Sequence, residues 1–142
     1  MRALIATFCL PLLAACSNEA REPTVAGRWY TASQVEAGEP LFRQYCATCH
    51  GEDGSATPDW RRLDANGNYP PPPLNGSAHT WHHPLDVLDA TIVQGGAPFG
   101  GQMPAFGSAL DADDRLAIIA YLQHWWPDDI YGKWREIDER SR

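Results

Sequence analysis

The chain has 142 residues, with 18 acidic against 11 basic side chains and a formal charge of -7. That acidity, with no basic cluster anywhere, excludes a nucleic-acid partner and favours docking to a basic face of a partner protein, with an on-rate that falls as salt rises. The length suits one domain with one core.

Met1-Arg2 supplies a short positive start, and Leu4 to Leu13 is apolar but too short to span a bilayer as a permanent helix, so residues 1–15 read as a signal peptide. Its end, Leu13-Ala14-Ala15-Cys16, is similar to the lipobox of bacterial lipoproteins. That similarity implies cleavage before Cys16 and its lipidation; an ordinary cleavage site of small residues, with Cys16 incidental, is the competing reading. Cleavage there leaves 142 less 15, or 127, residues, and loss of Arg2 takes the charge to about -8. Either way the protein is exported. Residues 16–30 then form an anchored N-terminus, in which Ser17 to Gly27 is polar and aperiodic. Such a tether reaches roughly 35 Å when extended.

A folded domain is expected over residues 31–127. Thr31 and Gln34 offer a capping box, so a helix begins near Thr31, with Pro40 predicting either a kink or a start as late as Glu39. Next comes Cys46-Ala47-Thr48-Cys49-His50. Cys-x-x-Cys-His is the spacing at which two thiols reach the two vinyl groups of one haem and the following imidazole meets the iron. A dithiol redox motif shares the Cys spacing but usually opens a helix after a buried strand, and no apolar β-run precedes Cys46. A structural zinc site needs a second ligand pair, which the chain lacks. The four cysteines are then accounted for: Cys9 in the leader, Cys16 for lipid, Cys46 and Cys49 for haem, and none for a disulfide.

From Thr31 to Trp126 the residues resemble a class I mono-haem c-type cytochrome. Gly38 and Phe42 stand eight and four residues before Cys46, as in that family's N-terminal helix. The resemblance implies an all-α cytochrome c fold, three to five helices wrapped around one covalently attached haem c per chain. It also implies that Gly38 and Phe42 cross the C-terminal helix near Ile118 and Tyr121. Pro71-Pro72-Pro73-Leu74 is similar to the family's Pro-x-Leu segment. There the proline carbonyl, here that of Pro72, accepts a hydrogen bond from the proximal imidazole and fixes its tautomer. Met103, the one methionine besides Met1, lies in Gly-Gly-Gln-Met-Pro-Ala-Phe. By resemblance its thioether is the second axial ligand, paired with His50, which raises the potential and closes the iron to other ligands.

Three histidines, His79, His82 and His83, fall within five residues. They suit a copper or zinc site, a helix cap, a haem propionate partner or plain exposure. Trp60, Arg61, Arg62, Tyr69 and Trp81 are further propionate candidates. The last helix of the domain opens at Asp111, carries Asp113 and Asp114 in its first turn and stops before Pro127. Leu116, Ile119, Ala120 and Gln123 share one of its faces, and Ile118, Tyr121, Leu122 and Trp125 form a second apolar stripe. In the tail, residues 128–142, Ile130, Trp134 and Ile137 recur at helical spacing, which predicts a short amphipathic helix folded back on the domain.

The function expected from these readings is single-electron transfer, not enzyme catalysis, by a monomer lipid-anchored on the periplasmic side of a bacterial membrane and serving membrane-associated redox proteins. Two alternatives stand beside it: a haem sensor or peroxidase-like protein if Met103 is labile, and a metal-handling module built on His79 to His83.

Overall fold

The computed structural model describes residues 21–142; the expected signal peptide, Cys9, Cys16 and the start of the expected tether lie outside the described residues. Among these the architecture is all-helical, with α1 (Ala32–Tyr45), α2 (Ala47–His50), α3 (Leu85–Gln94), α4 (Ala112–His124) and α5 (Asp128–Ser141). Two 3₁₀ turns, His79–His82 and Ala97–Phe99, add to these, and the only β pairing among the described residues is a bridge between Thr24 and Thr31.

Helix α1 starts where its cap dictates. The Thr31 hydroxyl accepts from Gln34 N at 3.2 Å and the Gln34 side chain accepts from Thr31 N at 3.0 Å, so α1 begins at Ala32 and not at Glu39. It runs through Pro40 to Tyr45. The missing Pro40 N–H is tolerated because α1 is held along its length by α4. At their crossing Gly38 lies against Ala117 and Tyr121, so that a Cβ on Gly38 would sit 2.0 Å from the Ala117 carbonyl oxygen. Ala117 thus takes the place expected of Ile118. One turn on, Phe42 is wholly buried, with its ring centroid 5.6 Å from Tyr121 and 5.1 Å from Trp125.

Helix α4 carries its own capping box, Asp111 with Asp114. Ala117 to Gln123 are all buried, because α1 covers one flank while α3 and the N-terminal segment pack on others. Trp29 Nε1 donates to Gln123 Oε1 at 2.7 Å, Trp29 N donates to the Tyr131 hydroxyl at 2.9 Å, and the Arg28 guanidinium lies 4.0 Å over the Tyr131 ring. Helix α5 buries Tyr131, Trp134 and Asp138 against the body of the domain. It also serves α3, whose N-terminal Pro84 has no side chain to cap it: Asp138 accepts from Leu85 N at 2.8 Å, in place of a local cap.

Candidate functional site

Helix α2 is one turn long and contains the chemistry. The Cys46 carbonyl accepts from Cys49 N at 3.1 Å and from His50 N at 3.0 Å, so positions 46, 49 and 50 fall on one face of a single turn. The two thiols are not joined to each other. Burial, with a smaller push from Cys49, raises the Cys46 thiol to about 11. A redox dithiol needs the opposite, a thiol depressed toward neutrality. Cys46 is instead a neutral, partly buried thiol, and no strand leads into it.

His50 is 8% exposed, and its Nδ1 lies 2.9 Å from the Pro72 carbonyl oxygen. A carbonyl only accepts, so the ring carries its proton on Nδ1 and keeps the lone pair of Nε2 for another partner. Burial lowers the His50 pKa, opposed by the bond to Pro72, and the neutral imidazole that results is the metal-binding form. The surroundings fix both halves of this pair. Ala56 N donates to the His50 carbonyl at 2.9 Å, and Leu74 N donates to the Gly54 carbonyl at 2.7 Å, tying the loop after α2 to the proline strip. Trp125 covers Gly54 so closely that a Cβ there would lie 2.6 Å from its ring. Pro73 O accepts from Thr80 Oγ1 at 2.9 Å, and Leu74 O accepts from Trp126 Nε1 at 2.7 Å. Sequence reasoning missed these last contacts, since Thr80, Trp125 and Trp126 carry no signal beyond being a small polar residue and two apolar helix-end residues.

Met103 lies on the segment between α3 and α4, partly buried against the same apolar core as Cys46 and Leu74. Its carbonyl accepts from Gly96 N at 2.8 Å. Gly95, at φ +74°, passes so near that a Cβ would sit 2.5 Å from that carbonyl oxygen, which only glycine permits.

The histidine cluster turns to aromatic neighbours. His79 stacks on Trp60 with centroids 4.5 Å apart, His83 meets His79 edge-on at 5.4 Å, and His82 meets Trp81 at 3.9 Å. Arg61 lies 4.6 Å over the Trp60 ring, while Arg62 and Tyr69 stay exposed. Among the described residues no group of three or more His, Cys, Asp or Glu side chains is placed to hold a metal ion. Burial first, then neighbouring positive groups, lowers the pKa of His79 and of His83.

This donor set fits a c-type haem: adjacent thiols on one helical face, a buried imidazole with its far nitrogen free, and a thioether held by a glycine-rich segment. Residues 33–122, well over half of the chain, match the family described as cytochrome C oxidase, cbb3-type, subunit III. The chain is also similar to the Cbb3-type cytochrome c oxidase subunit FixPc of Rhizobium leguminosarum bv. viciae, at 30% identity over 95 residues. That match covers 62% of this chain and 29% of the relative, so the chain spans under a third of that protein. No solved structure matches.

Proposed function

Since the chain belongs to the c-type cytochrome family described as cytochrome C oxidase, cbb3-type, subunit III, we propose that it is a single-electron carrier of the bacterial cell envelope with His50 and Met103 as axial ligands. The observation that carries this is the 2.9 Å contact of buried His50 Nδ1 with the Pro72 carbonyl, directly after Cys46-x-x-Cys49. A haem c joined by thioethers to Cys46 and Cys49 supplies the one-electron iron couple.

The residues of the chain do the rest. Pro72 holds the proton of His50 on Nδ1, which presents Nε2 and makes the imidazole a stronger donor. Met103 would supply a soft sulfur that favours the reduced state, and with His50 also bound the haem iron would have no position left for oxygen or peroxide. The acidic surface steers the protein to a basic face on a redox partner. A relative named as a subunit of a cbb3-type cytochrome c oxidase supports a membrane-associated partner of that kind. The lipobox-like Leu13-Ala14-Ala15-Cys16 supports attachment through lipid on Cys16, on the periplasmic side, after an expected leader of residues 1–15.

The test is an optical spectrum of the haem-loaded protein, oxidised and reduced, beside Met103→Ala. A weak far-red band of sulfur bound to ferric iron, present in the parent and lost in the variant, is the expected result. A parent without that band, or one that binds carbon monoxide rapidly when reduced, overturns the ligand assignment and with it the carrier reading.

A further inference from the structure

Between Pro72 and Leu85 the chain has one 3₁₀ turn and no other regular structure, yet it supplies the acceptor that orients His50. Contacts from elsewhere hold it. Leu74 O accepts from Trp126 Nε1 at 2.7 Å, His83 O accepts from Trp134 Nε1 at 3.0 Å, and Leu85 N donates to Asp138 Oδ1 at 2.8 Å. All three partners lie beyond residue 122, where the family match ends.

Of the three, Trp126 acts nearest the site. Leu74 is two residues from Pro72, and its two backbone groups are both used, the N–H on Gly54 and the carbonyl on Trp126. The indole has no freedom to follow a moving strip. It is 2% exposed, it packs on Gly76 (φ +87°) so closely that a Cβ there would lie 3.1 Å away, and its own carbonyl accepts from Arg28 Nη2 at 3.1 Å. Trp134 stands behind it at 6.1 Å between centroids.

We infer that Trp126 is a positioning residue for the proximal imidazole: by fixing the Leu74 carbonyl it sets the place of the Pro72 carbonyl, and so the strength of the His50 hydrogen bond and the reduction potential. The inference rests on the reading of His50 as an axial ligand. A stronger bond at Nδ1 increases electron donation from the imidazole and favours ferric iron; a slack one favours ferrous iron. Trp134, whose bond is to a carbonyl eleven residues from Pro72, has no such lever.

The experiment compares Trp126→Phe with Trp134→Phe in the haem-loaded full chain. Each removes a buried indole donor, so both lower thermal stability, but only Trp126→Phe moves the potential. The ferrous-to-ferric ratio at fixed ambient potential is expected to rise about threefold, roughly 28 mV at 59 mV per tenfold, while Trp134→Phe leaves it unchanged. Equal potentials in the two variants, with His/Met spectra intact, overturn the inference alone; a parent lacking that spectrum overturns the site reading and the inference together. Should Trp126→Phe fail to fold, hydrogen exchange on the unmodified protein decides. The ring N–H of His50 and the indole N–H of Trp126 should open as one unit, with one opening free energy once each rate is divided by that group's intrinsic rate, and different opening free energies overturn the coupling.

Discussion

Replacing Gly38 by Ala adds one methyl group at the tightest point of the α1–α4 crossing. Its Cβ would fall 2.0 Å from the Ala117 carbonyl oxygen, 2.6 Å from the carbonyl carbon and 2.8 Å from Tyr121 Cβ. Ordinary contact begins near 3.4 Å, so the helices must part or slide by 3.4 less 2.0, or about 1.4 Å. Both nearest atoms are backbone, and no rotamer change relieves them. A gap of ~0.5–1 Å already forfeits a quarter to a half of a dispersion well. Phe42, Tyr121 and Trp125 straddle the crossing, each contributing about 1.5–3 kcal/mol by burial. Losing about half of that over three side chains costs ~2–4.5 kcal/mol, and the better helix propensity of Ala returns ~1 kcal/mol. The net loss of about 1–3.5 kcal/mol is a sizeable part of the ~5–15 kcal/mol a small domain has. In the haem-loaded protein Tm should fall by roughly 5 °C or more, at ~4–8 °C per kcal/mol. Gly132→Ala is the matched control. It lies inside α5, and its Cβ would meet nothing within 4 Å. There the same change should raise stability by about 0.5–1 kcal/mol. A Gly38→Ala protein melting within ~2 °C of the parent, or a Gly132→Ala protein that falls as far, refutes the close-crossing argument.

Gly95→Ala should act on the distal side: at φ +74° and 2.5 Å from the Met103 carbonyl oxygen it must push that segment outward. The far-red band should weaken and the reduced protein should begin to bind carbon monoxide; an unchanged band contradicts the assignment of Gly95. Asp138→Ala removes the acceptor for Leu85 N and the partner of Arg142, 2.7 Å away. A loss of about 1–2 kcal/mol, typical of a lost helix cap, is expected, with the Leu85 amide losing protection in hydrogen exchange; a protected Leu85 amide shows that α3 caps itself. His79 and His83 have pKa values lowered from 6.5, chiefly by burial. A base held neutral in the fold takes up protons more readily when unfolded, so the unfolded state binds more protons just below pH ~6.5, and stability rises with pH there. Their contribution is complete above ~6.5 and lost as pH falls below it. Tm should therefore drop on acidification through this window, and His79→Phe should flatten the slope; an equal slope in the variant removes His79 as its source.

What could be read from the chain was what neighbouring residues decide. The caps at Thr31 and Asp111 are satisfied within three residues, and the turn at Cys46 to His50 is set by its own backbone bonds. Pro40 misled for the same reason. The local rule places a break there, while packing of Gly38 and Phe42 on α4 carries the helix through it. The Ala117 crossing was one residue away from the apolar Ile118, because close approach selects the smallest side chain and not the most hydrophobic. The contact of His50 with Pro72 spans 22 residues and was visible only through a resemblance. Those of Trp126 with Leu74, Asp138 with Leu85 and Trp29 with Gln123 span 52, 53 and 94 residues. Nothing in spacing distinguishes a tryptophan that fills a core from one whose N–H holds a carbonyl.

Two of these long contacts, Trp126 with Leu74 and Trp29 with Gln123, meet at one corner, the junction of α4 and α5. Arg28 Nη2 donates to the Trp126 carbonyl and pairs with Asp128 at 2.7 Å, while the indole of Trp126 holds Leu74. Asp128 is almost fully exposed, so that ion pair adds little by itself. The weight falls on the buried parts: the Arg28 face on Tyr131, the two tryptophan N–H bonds and the aromatic edges of Tyr30, Tyr131 and Trp134. Residue 28, where the N-terminal segment joins the domain, and Leu74, two residues from the acceptor of His50, are thereby fixed to the same residue, the first through the Trp126 carbonyl and the second through its indole. A change that loosens this corner frees the N-terminal segment and slackens the proximal strip together. Loss of Arg28 packing and loss of the Trp126 bond should therefore be non-additive in a double-mutant cycle, and additivity would mean that the corner is two separate contacts.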